Sequence, residues 1–314
     1  MELAAPSSLN ADPILIGVAL ASAAAVGWLL SRSREGPRTK RRRKVTLGLA
    51  LLLLAAVWFS PVAVIAQHYL LSAHLLQVTI LMGVVPPLLL LAMPRDPRLH
   101  PPRAVRRGLR FLVHPLVAIV AVNAAFFGWH TTGAYSAAMQ NNSLYALEQA
   151  SLFLTSLAFW WPIITPFSPP VRSMSPLGKI GYIVLATIPQ TFGGLVVALA
   201  HHSLYPAYTT APRLFGLDVL TDQQIAGASI AIVSKIALFA AFIVIFVHAL
   251  DSVADAEDGG SGDGGIHPHI EPQPLPSGTP RWLLDVARGR TVTEPRARPR
   301  RRVRAPAGSG SRRE

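Results

Sequence analysis

The chain has ten histidines, five methionines and no cysteine. The lack of a thiol excludes disulfides, thiolate zinc sites, iron–sulfur ligation and cysteine nucleophiles together. Any metal chemistry therefore falls to imidazole, thioether and carboxylate groups. His68, His74, His130, His201 and His202 all stand at ends of long apolar stretches, and Met139 follows nine residues after His130. Imidazole and thioether are copper ligands, and imidazole also binds zinc or haem iron. If the ends of the stretches converge, these six side chains line one pocket. If they do not, the histidines simply hydrogen-bond water, lipid headgroups and loops. No two histidines are four residues apart on one helix, so no single element builds the site.

Two ionisable residues lie inside apolar stretches, Glu148 and Lys235. Such groups are costly in a membrane and are functional candidates by default. Glu148 could orient a histidine, bind a metal or accept a structural hydrogen bond. Lys235 could pair with it or run its stem towards an interface. Protease, nucleophile-elbow and phosphate-loop motifs are all missing from the sequence.

The elements that must position these groups are set by charge. Hydrophobic residues make up 51% of the 314 and charged ones only 14%, which is low for a soluble enzyme. No charge falls between Lys44 and Arg95, only Glu148 falls between Arg110 and Arg172, and none falls between Lys179 and Arg213. Seven apolar segments follow, roughly 14–30, 45–65, 70–93, 111–129, 144–164, 180–200 and 223–250. Helix is the only state that satisfies the backbone in lipid here, since no alternation suggests a barrel. The fold class expected is all-α, a polytopic membrane protein with about seven transmembrane helices.

Sidedness follows from the basic residues. Of 29 Lys and Arg, 27 fall in the first, third and fifth loops and the C-terminal tail. Seven spans put these regions on one side, and the positive-inside rule makes that side cytoplasmic. The net charge of +13 thus reads as topology and contact with anionic lipid, not as nucleic-acid binding. The N-terminus is expected outside, and the first segment reads as an anchor and not as a cleaved signal, because positive charge follows it. Histidines 68, 74, 130, 201 and 202 then share the outer face. Three regions are expected: an anchor helix with its basic loop (1–44), a six-helix membrane domain (45–250), and a tail (251–314). The tail is acidic and then Arg-rich, and its composition points to disorder.

Several stretches carry a resemblance: AHLLQ at 73–77 with PPLLLL at 86–91, WHTTGAYSAAM at 129–139, and SLYALEQASLFLTSLAFWWPI at 143–163. SPLGKIGYIVLATIPQTFGG at 175–194 and SLYPAYTTAPRLFGLDVLTDQQIAG at 203–227 extend it. Together they resemble the CtaG-like family of bacterial cytochrome c oxidase assembly proteins over more than half of the chain. The resemblance implies a multi-pass protein of the bacterial plasma (inner) membrane that assists maturation of a haem–copper oxidase. The resemblance also implies a role that is not enzymatic. The implied partners are membrane lipid, oxidase subunits and a copper chaperone, and the implied cargo is copper. Under that reading His74 and His130 are direct ligands, His68, His201, His202 and Met139 are further candidates, and Glu148 orients a ligand. The family pattern also implies histidines where this chain has Val78, Tyr145 and Gln149. Two other readings stay open: an ion or small-solute transporter with Glu148 and Lys235 on its path, and a metal-free oxidase scaffold.

Overall fold

A computed structural model describes residues 5–95, 102–164 and 174–233, with a few isolated positions between 235 and 246. The tail 251–314, parts of the third and fifth loops and part of the last apolar segment lie outside the described residues. Every regular element among the described residues is helical. The helices are α1 (Pro13–Arg32), α2 (Pro37–Phe59), α3 (Pro61–His68), α4 (Leu71–Gly83), α5 (Val85–Ala92), α6 (Arg103–Leu112), α7 (Pro115–Trp129), α8 (Thr132–Gln140), α9 (Asn142–Ile164), α10 (Pro176–Leu199) and α11 (Val219–Ala228). A 3-10 turn (Pro206–Tyr208) precedes α11 and a π-helical turn (Ser229–Val233) follows it.

Proline sets five of these starts. Pro13, Pro37, Pro61, Pro115 and Pro176 each open a helix, where the missing N–H costs nothing and the fixed φ suits the first turn. Pro61 also divides an expected single segment: the second bends by 44° between α2 and α3. A bend of 64° separates α7 from α6, a helix that falls almost wholly in the expected third loop. The third segment breaks at Val84, ahead of Pro86 and Pro87. Among the described residues, three stretches are long and apolar enough to cross a membrane unaided: α1, Leu71–Ala92 and α10. Counting each bent pair as one span makes five. These helices make the chain a membrane protein.

α9 carries polar groups such as Glu148, Gln149 and Ser156 and is not among the apolar spans, yet most of its residues are buried. It is the central helix, packed by α1, α4, α5, α7 and α8. Within the membrane its polarity faces protein and not lipid. α10 and α11 cross at the smallest side chains: a Cβ on Gly227 would lie 2.3 Å from the Ala198 nitrogen and 2.6 Å from the Gly194 oxygen.

The two ends of the bundle differ in chemistry. At one end the C-terminal end of α5 meets the start of α2. Arg43 donates to the carbonyls of Leu91 and Met93 and is paired with Glu35. Glu35 also accepts from the Arg95 N–H at 3.0 Å. At the other end stand the start of α4, the start of α9 and the end of α7, which bring three of the expected site residues together.

Candidate metal centre

His74 is the fourth residue of α4, His130 caps the C-terminus of α7, and Glu148 lies two turns into α9. No local spacing links them, and packing of three helices does. One ligand atom from each lies within 4.8 Å of the other two, and they form the one such group among the described residues. His74 and Glu148 are fully buried. His74 Nε2 comes to 3.3 Å from Glu148 Oε1, but the pair lacks hydrogen-bond geometry. Both ring nitrogens of His74, both oxygens of Glu148 and Nε2 of His130 have no hydrogen-bond partner. Buried polar atoms are nearly always partnered, and each one left over costs about 1–3 kcal/mol. Three donors, each offering a buried, unpartnered atom within 4.8 Å of the other two, form an arrangement a cation would satisfy. Two ligand atoms bound about 2.0–2.1 Å from a tetrahedral ion sit about 3.3–3.4 Å apart, close to the His74–Glu148 separation.

The neighbours fix the rings. His130 Nδ1 lies 2.7 Å from the Phe126 carbonyl. A carbonyl only accepts, so Nδ1 carries the proton and Nε2 keeps its lone pair for a ligand role. The Phe126 ring stacks on His130 with centroids 4.4 Å apart. Tyr135 stands edge-on to His74 at 5.1 Å and close to His130 at 5.8 Å. Trp129 Nε1 donates to Ser151 Oγ at 2.8 Å, tying the end of α7 to the turn of α9 that bears Glu148.

A second layer holds the helix ends in place. Asp222, almost fully buried, accepts from the N–H of Leu71 at 2.7 Å and of Ser72 at 3.0 Å. A carboxylate thus caps α4 from α11, across 150 residues of sequence, just before His74. Gln223 accepts from the Leu204 N–H at 2.7 Å and donates to the His202 carbonyl at 3.1 Å, anchoring the loop after α10. Tyr208 donates to the Ala66 carbonyl and pairs with the Tyr135 hydroxyl at 2.7 Å. Tyr205 donates to the His130 carbonyl at 3.2 Å. Gln77 spans two helices, accepting from Tyr145 at 2.8 Å and donating to the Val57 carbonyl at 2.7 Å.

The model of the cytochrome c oxidase caa3 assembly factor family matches residues 24–252. The chain belongs to this family. No curated protein and no solved structure matches the chain. In this assembly factor the Tyr-Pro-Ala-Tyr run at 205–208 and the Asp-Gln-Gln run at 222–224 supply the layer over the three-residue cluster.

The expected site residues divide as follows. His74, His130 and Glu148 come together. Met139 lies in the tyrosine layer, where its sulfur accepts from Tyr208 at 3.5 Å. His68 is half-buried at the end of α3, and His201 and His202 are exposed in the loop after α10. All three stand outside the cluster. Lys235 is half-buried beyond the π-helical turn. Of the positions where the family pattern implies histidine, Val78 and Gln149 are buried, and Tyr145 is engaged with Gln77. Tyr135 is the residue that sequence reasoning passed over. It carries no spacing signal of its own, only its place in the 129–139 stretch.

Proposed function

We propose that this assembly factor holds a copper ion at the outer face of the bacterial plasma membrane and passes it to a subunit of a cytochrome c oxidase. His74, His130 and Glu148 are the donors. The observation that carries the reading is the convergence of one buried, unpartnered donor atom from each of the three residues. Two imidazoles and a carboxylate without thiolate suit copper(II) better than copper(I), which prefers soft sulfur ligands. Three protein donors leave a position open on a four-coordinate ion, as a site that must also release its cargo requires. The outward placement follows from the basic loops and a seven-span topology. It is supported by the separation of the cluster from the Arg43–Glu35 pair, at opposite ends of the bundle. The oxidase itself is the client, and an upstream copper donor is a further partner.

The test is genetic and spectroscopic. Membranes from a strain lacking this protein should lose haem–copper oxidase activity. The wild-type gene should restore it, and a His74→Ala/His130→Ala gene expressed to the same level should not. Full restoration by that variant would reject copper handling and leave a scaffold role.

A further inference from the structure

A buried metal site needs an entry path as well as ligands. The direct way in from the histidine end is filled. Tyr135 and Tyr208 are fully buried and hydrogen-bonded to each other, Met139 packs beside them, and Tyr205 lies tilted against Tyr135 with centroids 4.7 Å apart. A cavity of about 70 Å³ reaches the site from another direction, between α7 and α10. Its walls include His130, Phe126, Phe127, Gly193, Val197 and Tyr205.

We infer that the ion reaches and leaves the cluster sideways, through this cavity between α7 and α10, with His130 as the ligand shared by cavity and cluster. The inference rests on the reading of the cluster as a copper site. Three features of the walls support it. His130 belongs both to the donor group and to the cavity lining. It caps a helix and is held through one ring hydrogen bond, whereas His74 stands inside α4 under the Asp222 cap. The outer rim is thin: Phe127 is 38% exposed, and Gly193 opposite it has no side chain. A Cβ on Gly193 would come within 2.9 Å of the Phe127 ring, so the glycine makes the room the ring occupies.

The apolar lining sets the chemistry of passage. A bare divalent cation is too costly to desolvate in such a place. The ion therefore travels as a complex, with donor groups of a carrier replaced one at a time by His130 and then by His74 and Glu148. The neighbouring face of α10 is apolar and open, with Phe192 66% and Val196 64% exposed. A passage opening there delivers to the membrane-embedded side and not to bulk water.

The experiment measures copper(II) uptake and its release to excess chelator by stopped flow, using the full-length protein in lipid nanodiscs. Val197→Trp, which fills the cavity, should slow both rates about tenfold or more and leave the equilibrium Kd unchanged. Phe127→Ala, which opens the rim, should speed both, again at constant Kd. If one variant fails to fold, the other still decides. Rates in either folded variant that equal wild type would overturn the lateral route while the copper site stands. A wild-type protein that takes up no copper(II) would overturn the site reading and the route with it.

Discussion

Asp222 gives the most demanding check on how the site is held. Its two oxygens take the N–H groups of Leu71 and Ser72, the first two residues of α4, and His74 follows within the same turn. Asp222→Ala removes both bonds at once and leaves two N–H groups buried without acceptors. Hydrogen bonds to a charged group contribute about 1.5–3 kcal/mol each, so the loss of both should come to about 3–6 kcal/mol. Asp222→Asn keeps the shape and one acceptor but loses the charge at the helix N-terminus, and should cost about 1–2 kcal/mol. Thermal unfolding in nanodiscs followed by circular dichroism should show the order wild type, Asn, Ala, with the Ala variant lowered by roughly 10 °C. The same opening frees the first turn of α4, so copper(II) affinity of Asp222→Ala should fall by at least about tenfold, the factor that 1.4 kcal/mol gives. Wild-type melting together with wild-type affinity in Asp222→Ala would refute the claim that α11 positions His74.

Two further outcomes follow from the packing and the charges. Gly227→Ala should strongly destabilise the fold, because its Cβ meets the backbone of α10, whereas Gly181→Ala, with open space around it, should melt as wild type does. Melting of both variants side by side checks this. In Glu35, burial pushes the carboxyl up, but the Arg43 hydrogen bond, the Arg95 N–H and both positive charges outweigh it, and the net shift is below the ordinary value of 4.5. A depressed carboxyl contributes stability that is present above the ordinary value and is lost as pH falls through the folded one. The stability gap between wild type and Glu35→Gln should therefore hold at neutral pH and close on acidification below 4.5. A gap that widened in acid would contradict the assignment.

The helical class was legible because uncharged runs of this length have few other solutions. The breaks at Pro61 and Pro86 were legible in principle, since both prolines stand in the sequence, but hydropathy alone merged their flanking helices into single segments. α2 begins at Pro37 and not near Val45, because Arg38 to Lys44 are good helix formers whose heads reach water while the backbone continues the helix. His74 and His130 were legible as candidates because each is a polar residue at the end of an apolar run, and Glu148 because it is a charge inside one. Their convergence, and the separation of His68, His201 and His202 from them, were not, since these depend on how α4, α7 and α9 pack. The Asp222 cap and the Tyr135–Tyr208 pair were equally out of reach. Each joins positions more than 70 residues apart, and no local pattern marks them.

The most direct test of the account is metal analysis of the purified protein after loading with copper(II) and removal of free ion. The account predicts one copper per wild-type chain and none in the His74→Ala/His130→Ala/Glu148→Gln triple variant, while His201→Ala/His202→Ala keeps the wild-type content. Equal copper in wild type and the triple variant would contradict it.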